Sequence, residues 1–424
     1  MISRNEEDAV ITTSCDAASE RPLVIIVHAS VGSGHRSAAH AVAQAFEDLA
    51  GSRPDLPADT EIAVLDILDY GRVRFDGDKT ANVTVVFNGL YDFTWHHAFT
   101  GRILWGGGWS WSPIMFPRFT DLVRERRPIA IVATHIVAAN VAVAARMLTG
   151  QRFPLVCVPT DYGAEGLWPH RFTDLFCAAD DEMVKELTPR KVPLERIKVT
   201  GIPVRKGFSQ PADRDHTLER FGLPEDKINV MVMAGARLAQ PYMPFRAIMA
   251  DVIDKLGDFP LMHFSFLAGA DEEYAEHLKR ELEQAGVGNA SVFNYVEDIP
   301  ALMAASDMIV AKSGGLATTE CLCARLPLVL VGKSYGQERA NTRTVCATGA
   351  AMTAETPEAV LASLRTIHDD PSLLRKMNTA GDSLRRPHAA TDVAEATLAL
   401  VGRIDPPKRC FAKLYWGKKP HPLR

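Results

Sequence analysis

From residue 21 onward, short apolar runs rich in β-branched residues alternate with stretches of helical periodicity, and this alternation constrains the fold more than any other feature. Parallel strands buried on both faces read as unbroken apolar runs, and each is joined to the next by a helical crossover. The pattern therefore predicts an α/β protein with parallel sheets and helices on both faces. Strands are expected near 23–29, 61–67, 129–134, 154–159, 174–178 and 197–201, and a second set near 228–234, 261–268, 291–295, 308–312 and 328–332. The polar segment from Pro203 to Asp226, which carries Pro211 and Pro224, suits a linker between the sets. At 424 residues the chain is too long for one ordinary core. Two doubly wound, Rossmann-like domains facing a cleft are expected, at 21–205 and 206–385. A disordered stretch precedes them at 1–20, and a C-terminal helix with a basic aromatic tail follows at 386–424.

Composition narrows the function classes. With 47% hydrophobic and 23% charged residues the chain is globular, and its net charge of −5 gives no overall reason to bind nucleic acid. Residues 1–20 lack the basic start and apolar core of a secretion signal, and no apolar run reaches the ~18 residues of a spanning helix. A cytoplasmic location follows. The seven cysteines are odd in number and scattered, and Cys321-Leu-Cys323 has the wrong spacing for a zinc site, so no metal is expected.

The turn Ala29-Ser-Val-Gly-Ser-Gly-His-Arg-Ser-Ala-Ala-His40 joins the first strand to the first helix. In open α/β sheets ligands bind at the carboxyl ends of strands, where helix N-termini attract anions and hydroxyls. It is neither a P-loop, which ends in Gly-Lys-Ser/Thr, nor a dinucleotide fingerprint, because Ser37 fills the third glycine's place. His35 is either a group for chemistry in this crevice or a histidine satisfied by backbone at a helix start.

In the second domain, Met308-Ile-Val-Ala-Lys-Ser-Gly-Gly-Leu-Ala-Thr-Thr-Glu320 reads as a buried strand, a Gly-Gly turn and a helix. Backbone N–H groups at Gly314, Gly315 and Leu316 suit an anion, with Lys312 beside them, and Glu320 suits a ribose diol. The loop Val331-Gly-Lys-Ser-Tyr-Gly-Gln-Glu-Arg-Ala-Asn341 offers in Gln337 and Glu338 the donors and acceptors that sugar hydroxyls need. The plainer alternatives are a tightly packed helix start and ordinary polar surface. Two consecutive strand-end loops of complementary chemistry favour a nucleotide-sugar site.

Four of the six tryptophans fall between Trp95 and Trp111, as Trp95, Trp105, Trp109 and Trp111, amid glycines and flanking arginines. Indole has an apolar body and a polar edge, which suits a membrane interface. Trp109, Trp111 and Phe116 stand too close together to share one helical core face, so a lipid-contacting loop is expected in place of a core helix. The cationic segment from Arg403 to Arg424 is either a solvated terminus or an attachment to an anionic bilayer.

These motifs resemble those of the glycosyltransferase family 28 glycolipid synthases, the monogalactosyldiacylglycerol synthases and processive diacylglycerol glucosyltransferases, over about Val24 to Thr353. Ser30-Val-Gly-Ser-Gly-His-Arg-Ser-Ala38 is similar to their S-x-G-x-G-H-x-x-A turn. Pro159-Thr-Asp-Tyr with Leu167-Trp-Pro-His170 is similar to their T-D plus W-x-H element, and Thr200-Gly-Ile-Pro-Val-Arg205 to their domain-ending block. Lys312-Ser-Gly-Gly-Leu and Gly336-Gln-Glu-Arg-Ala-Asn341 match two more.

The resemblance implies a GT-B fold and roles residue by residue. His35 would be the base that deprotonates the acceptor hydroxyl, while Asp161 either lines the acceptor side with Trp168 and His170, orients His35 or caps a helix. Lys312, Gly314, Gly315 and Leu316 would serve the donor diphosphate, Glu320 the ribose, Val296 uracil, and Gln337 and Glu338 the hexose, with Gly34, Ser313 and Asn341 also binding the donor. Trp168, with the four clustered tryptophans, would face acceptor and membrane. Only Gly235 remains of the family's richer glycine loop, and Arg237 beside it would neutralise the diphosphate or meet a sugar carboxylate.

The expected function is an inverting transfer of glucose, galactose or glucuronate from a UDP-sugar to diacylglycerol, without metal or cofactor. The enzyme is expected to be held to the inner face of the membrane by anionic lipid. The rivals are a UDP-GlcNAc transferase acting on a polyprenyl diphosphate, a UDP-sugar 2-epimerase, and a non-catalytic lipid-binding module.

Overall fold

The computed structural model describes residues 21–30, 33–72, 108–164, 168–169, 172–190, 192–210, 213–235 and 242–403. The chain divides into two compact units, one of 1–205 with 388–424 and the other of 206–387.

The first unit is built on β1 (Leu23–His28), β2 (Glu61–Asp66), β3 (Ala130–Ala133), β4 (Leu155–Cys157), β5 (Leu175–Ala178) and β6 (Ile197–Val199). They form one parallel sheet in the order β2-β1-β3-β4-β5-β6. Its helices include α1 (Ser33–Leu49), α2 (Gly108–Met115), α3 (Pro117–Arg126), α4 (Ile136–Thr149) and α5 (Asp181–Leu187). Strands β1, β3, β4 and β5 are buried throughout, as their apolar runs require. Helix α1 buries a run of small side chains, Ala38, Ala39, Ala41, Val42, Ala43 and Ala45, together with the large ring of Phe46.

The second unit holds α6 (Arg214–Phe221), β7 (Ile228–Met233), α7 (Met243–Ala250), β8 (Met262–Leu267), α8 (Glu272–Gln284), β9 (Ala290–Phe293) and α9 (Ile299–Ala305). It continues with β10 (Met308–Ala311), α10 (Gly315–Cys323), β11 (Leu328–Val331), α11 (Gln337–Thr348), β12 (Ala351–Ala354), α12 (Pro357–Asp369) and α13 (Ser372–Ala380). Its six strands are also parallel, in the order β12-β11-β10-β7-β8-β9. The core gathers Val230, Val232, Phe264, Phe266, Val310 and Val329 from the sheet with Phe245, Leu278 and Leu364 from the helices.

Eleven expected strands form, each within a residue or two of its expected position, and β12 is the one that sequence missed. It is an edge strand, Ala-Met-Thr-Ala, with Thr353 exposed and Met352 half-buried, so it lacks the β-branched run that marks its neighbours. The linker expectation for 203–226 is corrected. From Lys206 on, the segment is part of the second unit: Thr217 and Leu218 are buried, α6 packs on α9, and Arg214 pairs with Asp307 at 2.9 Å. The helix expected after residue 386 is α14 (Ala389–Leu398), and it returns to the first unit, where Val393 and Leu398 join the cluster of Val24, Ile26 and Phe46. Among the described residues no helix is long and apolar enough to cross a membrane. The calls at 1–20, Trp95, Trp105, His170, Arg237 and the tail beyond residue 403 lie outside the described residues.

Candidate active site

Each sheet has one point where its winding reverses, and the chemistry-bearing residues gather at those two points. In the first unit the reversal falls between β1 and β3, because β2 lies on one side of β1 and every later strand on the other. His35 follows β1 in the first turn of α1, and Thr134 follows β3 directly. Nδ1 of His35 lies 3.0 Å from the Thr134 carbonyl and 2.8 Å from the Thr160 hydroxyl, and the Thr134 hydroxyl donates back to the His35 carbonyl at 2.9 Å. A carbonyl can only accept, so in the neutral ring Nδ1 carries the proton and Nε2 presents the lone pair. That is the tautomer a general base requires.

Burial pushes the His35 imidazole below its ordinary value, against the Asp161 carboxylate and the Thr134 carbonyl, which raise it. His28, at the end of β1, is pulled down to about 4 by burial despite the nearby Asp66. His35 therefore stays neutral through the physiological range. Thr134 and His135 were not singled out from sequence, and Thr160 only as part of the Thr-Asp element. The signal available for them was position, since Thr134 and His135 close β3 and Thr160 follows β4.

In the second unit the reversal lies between β7 and β10. Helix α10 starts beyond β10 on Gly314, with no side chain capping its first N–H groups, and Lys312 stands just ahead. Uncapped N–H groups at a helix start suit an anion. Lys312 donates to a carboxylate oxygen of Glu338 on α11, and its ammonium also lies 5.9 Å from the centre of the Tyr242 ring. The Ser313 hydroxyl meets that of Ser334 at 3.0 Å, and the buried Asn341 amide donates to the Ser313 carbonyl at 3.0 Å, tying the two strand-end loops together. Gly336 has φ 51° and ψ −125°, which only glycine adopts easily, and so sets the start of α11 where Gln337 and Glu338 are presented.

Lys312, Ser313, Gly314, Gly315, Leu316, Glu320, Gln337, Glu338 and Asn341 thus share two adjacent strand-end loops and the helices they open. Val296 lies apart, after the edge strand β9. Gly235 follows β7, where a Cβ would stand 2.0 Å from the Ala268 carbonyl oxygen. That contact already dictates the glycine through packing against the end of β8. Missed by sequence reasoning, Tyr242 and Arg246 stand beside this group. Burial pushes the Tyr242 phenol up, and Lys312, Glu338, Glu320 and Arg246 all act on it.

In the first unit Gly34 and Asp161 sit by His35, half-buried. Trp168 is buried and stacks edge-on against Phe176, so its indole is a core group with no face turned to lipid. The loop expected around Trp109, Trp111 and Phe116 is corrected: residues 108–115 form α2, which packs on α4, and Phe116 is buried, while the side chains of Trp109 and Trp111 lie outside the described residues.

Two parallel, doubly wound sheets, with His35 at one switch point and an uncapped helix start at the other, have the GT-B architecture that glycosyltransferases share with UDP-sugar epimerases. The family model for monogalactosyldiacylglycerol (MGDG) synthase matches residues 35–204, and that for glycosyl transferases group 1 matches residues 262–383. The chain is a UDP-sugar glycosyltransferase, and its likeness among enzymes is to the glycolipid synthases.

It is 24% identical over 388 residues to the processive diacylglycerol beta-glucosyltransferase of Bacillus cytotoxicus, covering 89% of this chain and 94% of that one. With the enzyme of the same name from Bacillus mycoides it shares 25% over 389 residues, covering 90% and 94%. Among solved structures it resembles MurG of Acinetobacter baumannii, with TM-score 0.56, 17% identity and coverage of 90% and 100%. It also resembles the UDP-GlcNAc 2-epimerase of Neisseria meningitidis, with TM-score 0.58, 13% identity and coverage of 89% and 99%. At these identities the solved structures speak to the fold.

Proposed function

We propose that the protein transfers a hexose, glucose before galactose or glucuronate, from a UDP-sugar to the hydroxyl of diacylglycerol, inverting the anomeric centre. The observation that carries this is the His35 tautomer, with Nδ1 tied to the Thr134 carbonyl and Nε2 left as the base. The match of residues 35–204 to the MGDG synthase model and the printed activity of the relatives support the choice of acceptor.

In this scheme Nε2 of His35 takes the proton of the acceptor hydroxyl as that oxygen bonds to the anomeric carbon. The bond from that carbon to the β-phosphate oxygen breaks, its electron pair leaves with UDP, and inversion follows from the single displacement. Charge growing on the diphosphate falls on the N–H groups at the start of α10 and on Lys312, which must exchange its Glu338 contact for phosphate. Glu338, so released, turns with Gln337 to the sugar hydroxyls, and Glu320 holds the ribose. Peripheral attachment to the inner face of the membrane through anionic lipid belongs to the same reading, supported by the match to the MGDG synthase model and by the lipid acceptor named for the relatives.

The test is incubation of the full chain with diacylglycerol vesicles and, separately, UDP-glucose, UDP-galactose, UDP-glucuronate and UDP-GlcNAc. Lipids are read by mass spectrometry and bound protein by sedimentation with the vesicles. A hexosyl or hexuronosyl diacylglycerol is expected. Product only on a polyprenyl diphosphate, or epimerised UDP-GlcNAc with no lipid product, overturns the proposal.

The pH profile carries a second expectation. The base works only when neutral, so kcat/KM falls as pH drops through the His35 pKa, and because burial lowers that pKa the acidic limb lies below 6.5. Asp161 raises the same pKa, so Asp161→Asn removes a stabiliser of the imidazolium and moves the limb to still lower pH. A limb that stays in place or climbs in Asp161→Asn contradicts the electrostatic role of the carboxylate.

A further inference from the structure

Against the ring of His35 stands a second histidine that the reaction scheme does not use. His135 is the N-cap of α4: its Nδ1 accepts the Val137 N–H at 3.1 Å, so in the neutral ring its proton sits on Nε2. The two imidazoles meet edge to face, with centroids 4.6 Å apart and planes at 85°. Both are anchored at the same strand end, His35 through the Thr134 carbonyl and His135 as the next residue in the chain.

Capping alone does not call for an imidazole. Asn, Asp, Ser or Thr satisfies the same N–H and is the commoner choice. What those short side chains lack is a ring of the right size to lie against His35. We propose that His135 is a positioning residue for the base, its neutral ring packed edge to face on His35 so that the His35 imidazole cannot swing away from the Thr134 carbonyl and Nε2 stays presented to the acceptor hydroxyl. The inference rests on the assignment of His35 as base.

The groups around the pair fit this role. Asp161, on the loop after β4, is the charge that favours protonated His35. His28 at the end of β1 acts on His135, and His35, Arg36 and His40 act on His28. Burial holds His135 well below the usual histidine range, with His35 and His28 adding to the effect, so His135 brings no charge of its own to the base. A neutral neighbour that excludes water keeps the imidazole of His35 in its working form.

The fold uses the cap and the mechanism uses the ring, and the two are separable in the full-length protein. His135→Asn and His135→Ser keep a capping side chain and lose the ring, whereas His135→Phe keeps a ring and loses the cap. For the two capping variants the expected result is a melting temperature near that of the wild type and a donor KM within about twofold. Their kcat should be lowered about tenfold, a fraction of what a positioned base supplies, with the acidic limb of kcat raised towards the ordinary histidine value. His135→Phe should melt earlier yet keep the wild-type limb.

Wild-type kcat and limb in the capping variants would overturn the proposal, and so would a kcat and limb that track melting temperature across all three variants. A fully active His35→Ala overturns the base assignment itself, a result distinct from either of these.

Discussion

Replacing His35 by alanine lowers kcat for glycolipid formation by about 10²- to 10⁴-fold, the usual contribution of a positioned general base, while the KM for the UDP-sugar changes little. The split follows from where the residue sits. His35 belongs to the first unit and its contacts include Thr134, Thr160 and His135, whereas the residues assigned to the donor, Gly34 apart, belong to the second. Loss of a group that acts only as the proton moves appears in kcat and kcat/KM together. His35→Ala also removes a half-buried ring and its contact with the Thr134 carbonyl, so melting temperature is measured alongside. A drop in activity matched by unfolding, or a variant that turns over at the wild-type rate, would count against the base. His35→Gln, which can still donate to Thr134, is expected to be as inactive as the alanine variant.

Arg246→Met destabilises the second unit by about 3 kcal/mol, the low end of the range for removing one partner of a buried ion pair. For a unit of this size that lowers its melting temperature by roughly 6–12 °C. Arg246 rises from α7 with its side chain 9% exposed. Nε donates to the Ala234 carbonyl at 2.9 Å, Nη1 to Asp271 at 2.7 Å, and the guanidinium lies 3.6 Å from the centre of the Tyr274 ring. It joins the end of β7 to the cap of α8, since Asp271 also accepts the Tyr274 N–H at 3.0 Å.

The estimate sits at the low end because Asp271 keeps a quarter of its side chain in water and because Nη2 is buried with no partner even in the wild type. The double variant Arg246→Met, Asp271→Asn recovers part of the loss, because the amide leaves no stranded carboxylate and still caps α8. A single variant that melts with the wild type would mean that the pair only offsets its own desolvation.

How much of this was legible beforehand depends on whether a residue acts through its neighbours in sequence or in space. The strands of both sheets announced themselves because burial on two faces demands continuous apolar runs, and β12 escaped because an edge strand needs no such run. His35 and the Lys312 to Glu320 and Gly336 to Asn341 blocks were visible because glycines and polar groups at strand ends carry local signatures. Gly235 was visible too, but its cause was not, since the atom that forbids a side chain there belongs to Ala268, just past the end of β8. Arg246 gave no signal, being one arginine on an amphipathic helix until folding sets it over Tyr274. Trp168 read as an interfacial aromatic and became core, because exposure belongs to the packed chain and not to the residue type.

The sequence by itself determined the two parallel sheets, the places where they end in chemistry, and the resemblance that names a sugar donor. These follow from periodicity and local turn geometry, which act over a few residues. Only the tertiary structure decided which nitrogen of His35 is free, because that depends on a carbonyl 99 positions away. It alone placed His135 against that ring and paired Lys312 with Glu338, and it alone returned α14 to the first unit. Contacts between distant residues form only when strand order brings them together, and strand order is a property of the folded sheet.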